Sequence, residues 1–286
     1  IGGNRWVEEN KNNPDITKAM EKAKKAFAGT EIQKKKIGVI GLGAIGVLVA
    51  NVARNLGMDV YGYDPYLSLK SAWNLSRSVH HVNSVDEIFE HCDFISVHVP
   101  LMDTTRNMVG REGIAKMKPT ATILNFARNG LVDEDAVAEA LQEGRLRHYV
   151  TDFPTPKVAA VDGVIAFPHL GASTEESEEN CAVMAVEQVM DYLENGNIRN
   201  SVNFPNIDMG VCQTQGRIAI LHRNIPNMLT RFTGMFSKDG INITEMSNKT
   251  KDNYSYAIFD LDSPIEEEAV NELKAIDGVL KVRVIK

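Results

Sequence analysis

Ile37-Gly38-Val39-Ile40-Gly41-Leu42-Gly43-Ala44-Ile45-Gly46 is the stretch that decides the fold. The apolar run Ile37 to Ile40 reads as a short buried strand that enters a glycine turn at once. From Ala44 to Leu56 apolar residues recur at helical spacing and stop at Gly57, and Asp59 to Tyr63 reads as a second strand. A Gly-x-Gly-x-x-Gly has little meaning alone, because glycines are common in turns. Between a strand and a helix each glycine has a task. Gly41 makes the turn, Gly43 lets a pyrophosphate approach the backbone, and Gly46 lets helix and strand pack.

The same alternation continues outward in both directions. Before the glycine turn, Asp15 to Phe27 reads as a helix with Pro14 at its start and Gly29 just beyond its end. After it, Val79–Val82 is a short strand, and Ser84 with Glu87 forms a capping box that opens a helix to His91. Phe94–Val99, Ala121–Asn125, Tyr149–Asp152 and Val164–Phe167 read as strands, with a helix at Asp133–Gly144. Strands alternating with helices predict a doubly wound, Rossmann-type parallel sheet, with ligands at the carboxyl ends of its strands. One long helix follows from Thr174 to Asn195, its first turn acidic as its dipole prefers.

Beyond Gly196 the texture changes. Asn195–Gly210 is rich in Asn, Gly and Pro and reads as a linker. Arg217–Lys286 then predicts a βαββαβ order, that of an independent ferredoxin-like domain. The domain expectation is 1–172 for the dinucleotide-binding part, 173–214 for the crossover helix and linker, and 215–286 for the last domain.

Composition narrows the function. Of 286 residues, 43% are hydrophobic and 24% charged, ordinary for a soluble globular chain. The net charge of −7 argues against a nucleic-acid partner, though a local cationic pocket still admits a small anion. No apolar run is long enough for a membrane span. Cys92, Cys181 and Cys212 are odd in number and scattered, which suits reduced thiols in a cytoplasmic protein and no metal site. Asp64 ends the second strand, roughly 20 residues past the glycines, where a carboxylate accepts hydrogen bonds from the adenine ribose hydroxyls. That carboxylate repels a 2′-phosphate, and Pro65 and Tyr66 supply no cation to offset it. NAD is therefore expected over NADP.

Three further motifs fall into one pattern. Val97-His98-Val99-Pro100-Leu101, Asn125-Phe126-Ala127-Arg128-Asn129-Gly130-Leu131-Val132-Asp133 and Pro168-His169-Leu170-Gly171-Ala172-Ser173-Thr174 resemble the motifs of the D-2-hydroxyacid dehydrogenases. The resemblance runs from about Gly38 to Phe204. It implies that Arg128 grips the substrate carboxylate and carbonyl, a task suited to a guanidinium fork. It implies that His169 is the acid/base that takes the hydroxyl proton, since an imidazole titrates near working pH. Asp152 sits where the family's Asp accepts from the nicotinamide carboxamide. Gly41, Gly43, Ala44, Ile45, Gly46, Asp64, Val99, Pro100, Thr105, Phe126, Ala127, Asp152, His169 and Gly171 are the cofactor-lining positions that the resemblance implies. His98 is read as structural or adenine-side, and His80, His81, His91 and His148 as solvated.

The last seventy or so residues resemble an ACT domain, the small-molecule sensor attached to amino-acid enzymes. Its signature appears as His222-Arg223-Asn224-Ile225-Pro226-Asn227, and Asn242 matches the asparagine that reaches across from a paired domain. The implied regulatory ligand set is His222, Asn224 and Asn242, with L-serine as effector. The combination resembles the branch of the family that oxidises a phosphorylated 2-hydroxyacid. Pairing through the dinucleotide-binding domains and through ACT sheet edges implies a homodimer or homotetramer.

Departures from the family pattern are equally specific. A glutamate that pairs with the histidine usually follows the Asp152 segment. Here the chain reads Asp152-Phe153-Pro154-Thr155-Pro156 with no acid, and neither Lys157 nor Asp162 is an evident substitute. With no partner the imidazolium is less stabilised and the pH–rate profile moves. Asn129 and Asn227 each stand where glycine is usual, and a side chain at 227 crowds the regulatory ligand. The family's substrate domain mostly precedes the dinucleotide-binding domain, so the groups for a substrate phosphate are expected outside these residues. The chain as given is then expected to bind NAD with impaired turnover. The alternatives are a dehydrogenase for another D-2-hydroxyacid, or a non-catalytic NAD-sensing binding protein.

Overall fold

The computed structural model describes residues 2–286, and the chain divides into two compact units, Ile1–Leu170 and Gly171–Lys286. In the first unit the elements run α1 (Gly2–Asn10), α2 (Ile16–Ala23), β1 (Lys36–Ile40), α3 (Ala44–Asn55), β2 (Asp59–Tyr63), α4 (Leu69–Asn74), β3 (His80–His81) and α5 (Val85–His91). They continue as β4 (Phe94–Val97), α6 (Arg111–Lys116), β5 (Thr122–Asn125), α7 (Glu134–Gln142), β6 (His148–Thr151), α8 (Pro156–Ala159) and β7 (Val164–Ala166). All seven strands are parallel, in the order β3-β2-β1-β4-β5-β6-β7. The order reverses between β1 and β4, so the crevice for a ligand opens beside the end of β1.

Alternation along β1 explains why both faces are covered. Ile37 and Val39 join one apolar cluster with Val47, Ala50 and Ala53 of α3. Ile40 points the other way, into a larger cluster with Ile88 of α5, Ile114 of α6 and Val137 of α7. Gly38 lies under Ile88, where a Cβ would come within 2.1 Å of its side chain. The Ser84–Glu87 capping box forms as predicted, and Asp133 caps α7 by accepting from the amides of Asp135 and Ala136.

The second unit begins with α9 (Glu175–Asn195), capped by Thr174, whose side chain accepts from the Ser177 amide. Then come β8 (Gly216–Arg223), α10 (Met228–Lys238), β9 (Ile243–Lys251), β10 (Tyr254–Leu261), α11 (Glu267–Ala275) and β11 (Val279–Val284). The four strands form an antiparallel sheet in the order β11-β8-β10-β9, the ferredoxin-like arrangement. Phe232, Phe236 and Leu273 of its two helices pack on one face, against Ile218, Ile220 and Phe259. Ala219, Tyr256 and Ile258 face the other way, onto Ile198 and Ile207. The segment read as a linker is therefore packed, and Ile198 and Ile207 pair with each other as a small antiparallel bridge.

Arg217 holds this segment down. Fully buried, it forms a two-pronged ion pair with Asp260, with Nη2 donating to Asp260 Oδ2 at 2.7 Å. Its other donors reach the carbonyls of Asn195, Met209 and Gly210. All five guanidinium protons are thus used.

Some boundaries differ from expectation. The predicted helix Asp15–Phe27 ends as an α-helix at Ala23 and closes with a 3-10 turn, Lys24–Phe27. The strand expected to reach Val99 ends at Val97, where the chain leaves the sheet to line the crevice. Helices α1, α4, α6 and α8 have no predicted counterpart.

Candidate functional site

The carboxyl ends of the parallel strands gather most of the predicted site residues along one edge of the first unit. Gly41 follows β1, Asp64 follows β2, His98 to Pro100 follow β4, and Phe126 to Arg128 follow β5. Asp152 follows β6 and His169 comes shortly after β7. Gly171 belongs to the second unit.

The glycine turn is shaped by backbone contacts. Gly41 has φ +91, and a Cβ there would sit 2.6 Å from the His98 carbonyl oxygen. A Cβ on Gly46 would come within 1.9 Å of the Gly41 carbonyl oxygen. A Cβ on Gly43 would meet nothing within 4 Å, and Gly43, Ala44 and Ile45 are exposed at the start of α3. The first and third glycines are demanded by packing. The second leaves an open cradle at a helix N-terminus, where unsatisfied amides and the helix dipole favour an anion.

Asp64 is pinned beside this turn. Its Oδ2 accepts from the Leu42 amide at 2.8 Å and its Oδ1 from the Tyr66 amide at 2.8 Å. Each oxygen keeps a second lone pair for a hydroxyl. His98 packs beneath the turn, its Nε2 2.8 Å from Ser96 Oγ, and burial lowers its pKa from the ordinary value. Thr105 braces the loop after β4, donating to the Pro100 carbonyl at 2.6 Å while accepting from the Met102 amide at 2.8 Å.

Arg128 is exposed and spends one donor on the Ala127 carbonyl, at 2.7 Å. The rest of its fork is open to a carboxylate. His169 is half exposed and lies edge-on to Phe153, with ring centres 4.5 Å apart. Its Nδ1 is 3.9 Å from Asp152 Oδ2, the one carboxylate in ion-pair range of it among the described residues. The other oxygen, Asp152 Oδ1, is buried with no hydrogen-bond partner. Lys157 pairs with Asp135 and Asp162 is exposed, so neither serves the histidine. The nearest acid to His169 is thus the residue predicted to face the carboxamide.

One acid with a buried, unpartnered oxygen escaped the sequence reading. Glu134, in the first turn of α7, holds Thr155 through Oε2 at 2.6 Å and leaves Oε1 buried and unpartnered. Thr155 lies in the segment where an acid was sought, but nothing local in the sequence links the two. Among the remaining histidines, His80, His81 and His91 are exposed as expected. His148 is not solvated: half-buried, it sets Nδ1 3.2 Å from the Gly163 carbonyl.

Residues 3–171 match the family model described as D-isomer specific 2-hydroxyacid dehydrogenase, NAD binding domain. The chain belongs to the D-isomer-specific 2-hydroxyacid dehydrogenase family. A D-3-phosphoglycerate dehydrogenase of Haemophilus influenzae is 32% identical over 273 residues, covering 92% of this chain and 65% of that protein. One of Methanocaldococcus jannaschii is 41% identical over 206 residues, covering 69% of this chain and 39% of that protein. The chain therefore spans less than two thirds of the length of these relatives. The NAD+-bound 3-phosphoglycerate dehydrogenase of Entamoeba histolytica matches with a TM-score of 0.54 and 32% identity, covering 62% of this chain and 57% of that one. A D-isomer-specific 2-hydroxyacid dehydrogenase of Lactobacillus delbrueckii ssp. bulgaricus, in its NAD-complexed form, matches with a TM-score of 0.55 and 26% identity, covering 62% of this chain and 59% of that one.

NAD is the cofactor of this family, and three features of the chain fit it. The open Gly43 cradle admits a pyrophosphate, the pinned Asp64 carboxylate suits ribose hydroxyls, and the buried Asp152 Oδ1 lacks the donor that a carboxamide brings. Among the described residues no group of His, Cys, Asp or Glu is placed to hold a metal ion, and no helix is long and apolar enough to cross a membrane.

The predicted regulatory residues fall in the second unit. His222 is buried, with Nδ1 2.9 Å from the Arg223 carbonyl and Nε2 3.2 Å from Asn248 Oδ1. Both ring nitrogens are therefore engaged, and a ligand reaching this ring must displace one of them. Asn224 and Asn242 are exposed. Asn227 takes φ +68 at the start of α10, a conformation that asparagine tolerates better than most side chains, so the turn survives without glycine.

Proposed function

We propose that the protein oxidises D-3-phosphoglycerate to 3-phosphohydroxypyruvate with NAD, the first step of a phosphorylated route to L-serine. The observation that carries this reading is His169 at the carboxyl edge of the sheet, its Nδ1 facing the Asp152 carboxylate at 3.9 Å. That arrangement leaves Nε2 for the substrate. In this reading Arg128 binds the substrate carboxylate and orients the hydroxyl-bearing carbon. His169 Nε2 takes the hydroxyl proton, and Asp152 steadies the resulting imidazolium through Nδ1. The bound NAD supplies the hydride acceptor. Asp152 Oδ1 fixes its carboxamide, while the Gly43 cradle and Asp64 anchor its pyrophosphate and adenine ribose. The names of the Haemophilus and Methanocaldococcus relatives support phosphoglycerate as substrate.

The ferredoxin-like sheet is proposed to act as an ACT domain that binds L-serine through Asn224, Asn242 and, after a local rearrangement, His222. Edge strands β9 and β11 would pair between copies in a homodimer or homotetramer. The site of the reaction is proposed to be cytoplasmic. A substrate panel tests the reading with the product of the complete gene: D-3-phosphoglycerate, D-glycerate and D-lactate, each with NAD or NADP and with or without L-serine. Preference for D-3-phosphoglycerate with NAD, slowed by serine, supports it. Preference for an unphosphorylated acid moves the assignment within the family. NADH binding with no turnover of any 2-hydroxyacid makes the protein an NAD sensor.

A further inference from the structure

The C-terminal unit contains a cavity that the proposed chemistry does not use. Its volume is about 430 Å³, and it lies between the last turns of α9, the packed segment after it, and the helix-free face of the four-stranded sheet. Tyr192, Phe204 and Leu221 supply apolar wall, and the cations Arg199, Lys281 and Arg283 also line it. No aspartate or glutamate is among the lining residues.

The three cations are not equivalent. Arg199 is neutralised by Asp191 at 3.5 Å and Asp208 at 2.7 Å. Arg283 has no acidic partner among the described residues; it donates to the carbonyls of Tyr192 and Leu193 and stacks 4.2 Å from the centre of the Tyr192 ring. Its charge is thus fixed in place and uncompensated. Lys281 is exposed and has no ion-pair partner among the described residues. Two residues apart on β11, Lys281 and Arg283 share a face of the sheet and point to the same cavity. A concave apolar wall with a few convergent charges at one side is the usual form of a small-molecule site, and low-dielectric walls strengthen those charges.

We propose that this cavity binds a small carboxylate carried on a flat apolar body, with the carboxylate on Lys281 and Arg283 and the body against Tyr192, Phe204 and Leu221. The site is separate from the one proposed for serine, which lies at the start of α10. Its ligand bridges α9 and the sheet, which are also joined by Arg217 to the Asn195 carbonyl and by Arg283 to the carbonyls of Tyr192 and Leu193.

The test uses the present chain and 2-naphthoate as probe, by titration calorimetry, with the neutral 2-naphthamide as control. Lys281→Glu reverses the charge at an exposed position, and Leu221→Trp fills the cavity. The expected result is one naphthoate per chain, weakened roughly tenfold or more by Lys281→Glu and by the amide, which is the scale of one partly desolvated charge contact. Leu221→Trp should abolish it, with NADH affinity unchanged in both variants. If Leu221→Trp does not fold, Lys281→Glu and the amide decide the matter. Equal affinity for naphthoate and naphthamide overturns the proposal. So does the absence of naphthoate binding at millimolar concentration, or binding indifferent to Lys281→Glu, which places the probe on the exposed apolar face of α9.

Discussion

Replacing Gly43 and Gly46 by alanine, one at a time, should separate cofactor binding from folding. At Gly46 the new Cβ lies 1.9 Å from the Gly41 carbonyl oxygen, against an ordinary C···O contact of about 3.3 Å. The obstacle is backbone within the glycine turn itself, so no side chain can swing aside. Overpacking of this kind costs about 3 kcal/mol, and Gly46→Ala should lose that much in urea unfolding of the first unit. At Gly43 the new Cβ meets nothing within 4 Å, and φ −76 with ψ −158 is extended backbone that alanine adopts. As the N-cap of α3 this position should lose less than about 1 kcal/mol. The methyl nonetheless occupies the cradle where a pyrophosphate must touch the backbone. Gly43→Ala should therefore weaken NADH by at least about tenfold, read as fluorescence enhancement on titration. A Gly43→Ala protein with wild-type stability and wild-type NADH affinity would refute the cradle. A Gly46→Ala protein as stable as the parent would refute the packing argument.

Three other outcomes follow from the same geometry. Burial lowers the His98 pKa in the folded chain, so the unfolded chain binds a proton more readily below the ordinary 6.5. Stability should be full above that pH and fall as pH drops toward the lowered value, a slope that His98→Asn removes in urea titrations from pH 8 to pH 5. Arg217→Ala strands Asp260 in the core and should cost the C-terminal unit about 3–5 kcal/mol; a loss below about 1 kcal/mol in denaturant would contradict the clamp. Burial pushes the Cys92 thiol up to about 12 while Cys181 is exposed, so at pH 8 a disulfide reagent should label Cys181 quickly and Cys92 only on unfolding, as peptide mapping would show.

Much of the fold was legible because its signals are local. The glycine turn announces itself through positions that tolerate no Cβ, and the Ser84–Glu87 box and the Thr174 cap are short-range hydrogen bonds written in adjacent residues. Helices α4, α6 and α8 were not legible: at four to six residues they are too short for a periodic pattern, and α1 buries no residue at all. The segment 195–210 reads as a linker by composition, yet Arg217 and the Ile198–Ile207 bridge pack it, which depends on partners far along the chain.

The candidate site divides along the same line. Gly41, Asp64, Arg128 and His169 were placed by motif. The approach of Asp152 to His169, the unpartnered oxygens of Asp152 and Glu134, and the engagement of both His222 nitrogens are products of tertiary packing. The acid absent from the segment after Asp152 led to the expectation of an unassisted histidine. The carboxylate that the structure brings nearest is that of Asp152, which follows β6 and lies 3.9 Å from His169 Nδ1.

In the proposed reaction His169 moves the proton while this chain supplies the NAD site. The direct measurement is NADH formation from D-3-phosphoglycerate by the complete gene product and its His169→Asn variant, with NADH affinity measured alongside. The expected result is a loss in kcat of about 10²–10⁴-fold at unchanged NADH affinity. A variant that turns over within a few-fold of the parent would place the acid/base elsewhere and contradict it.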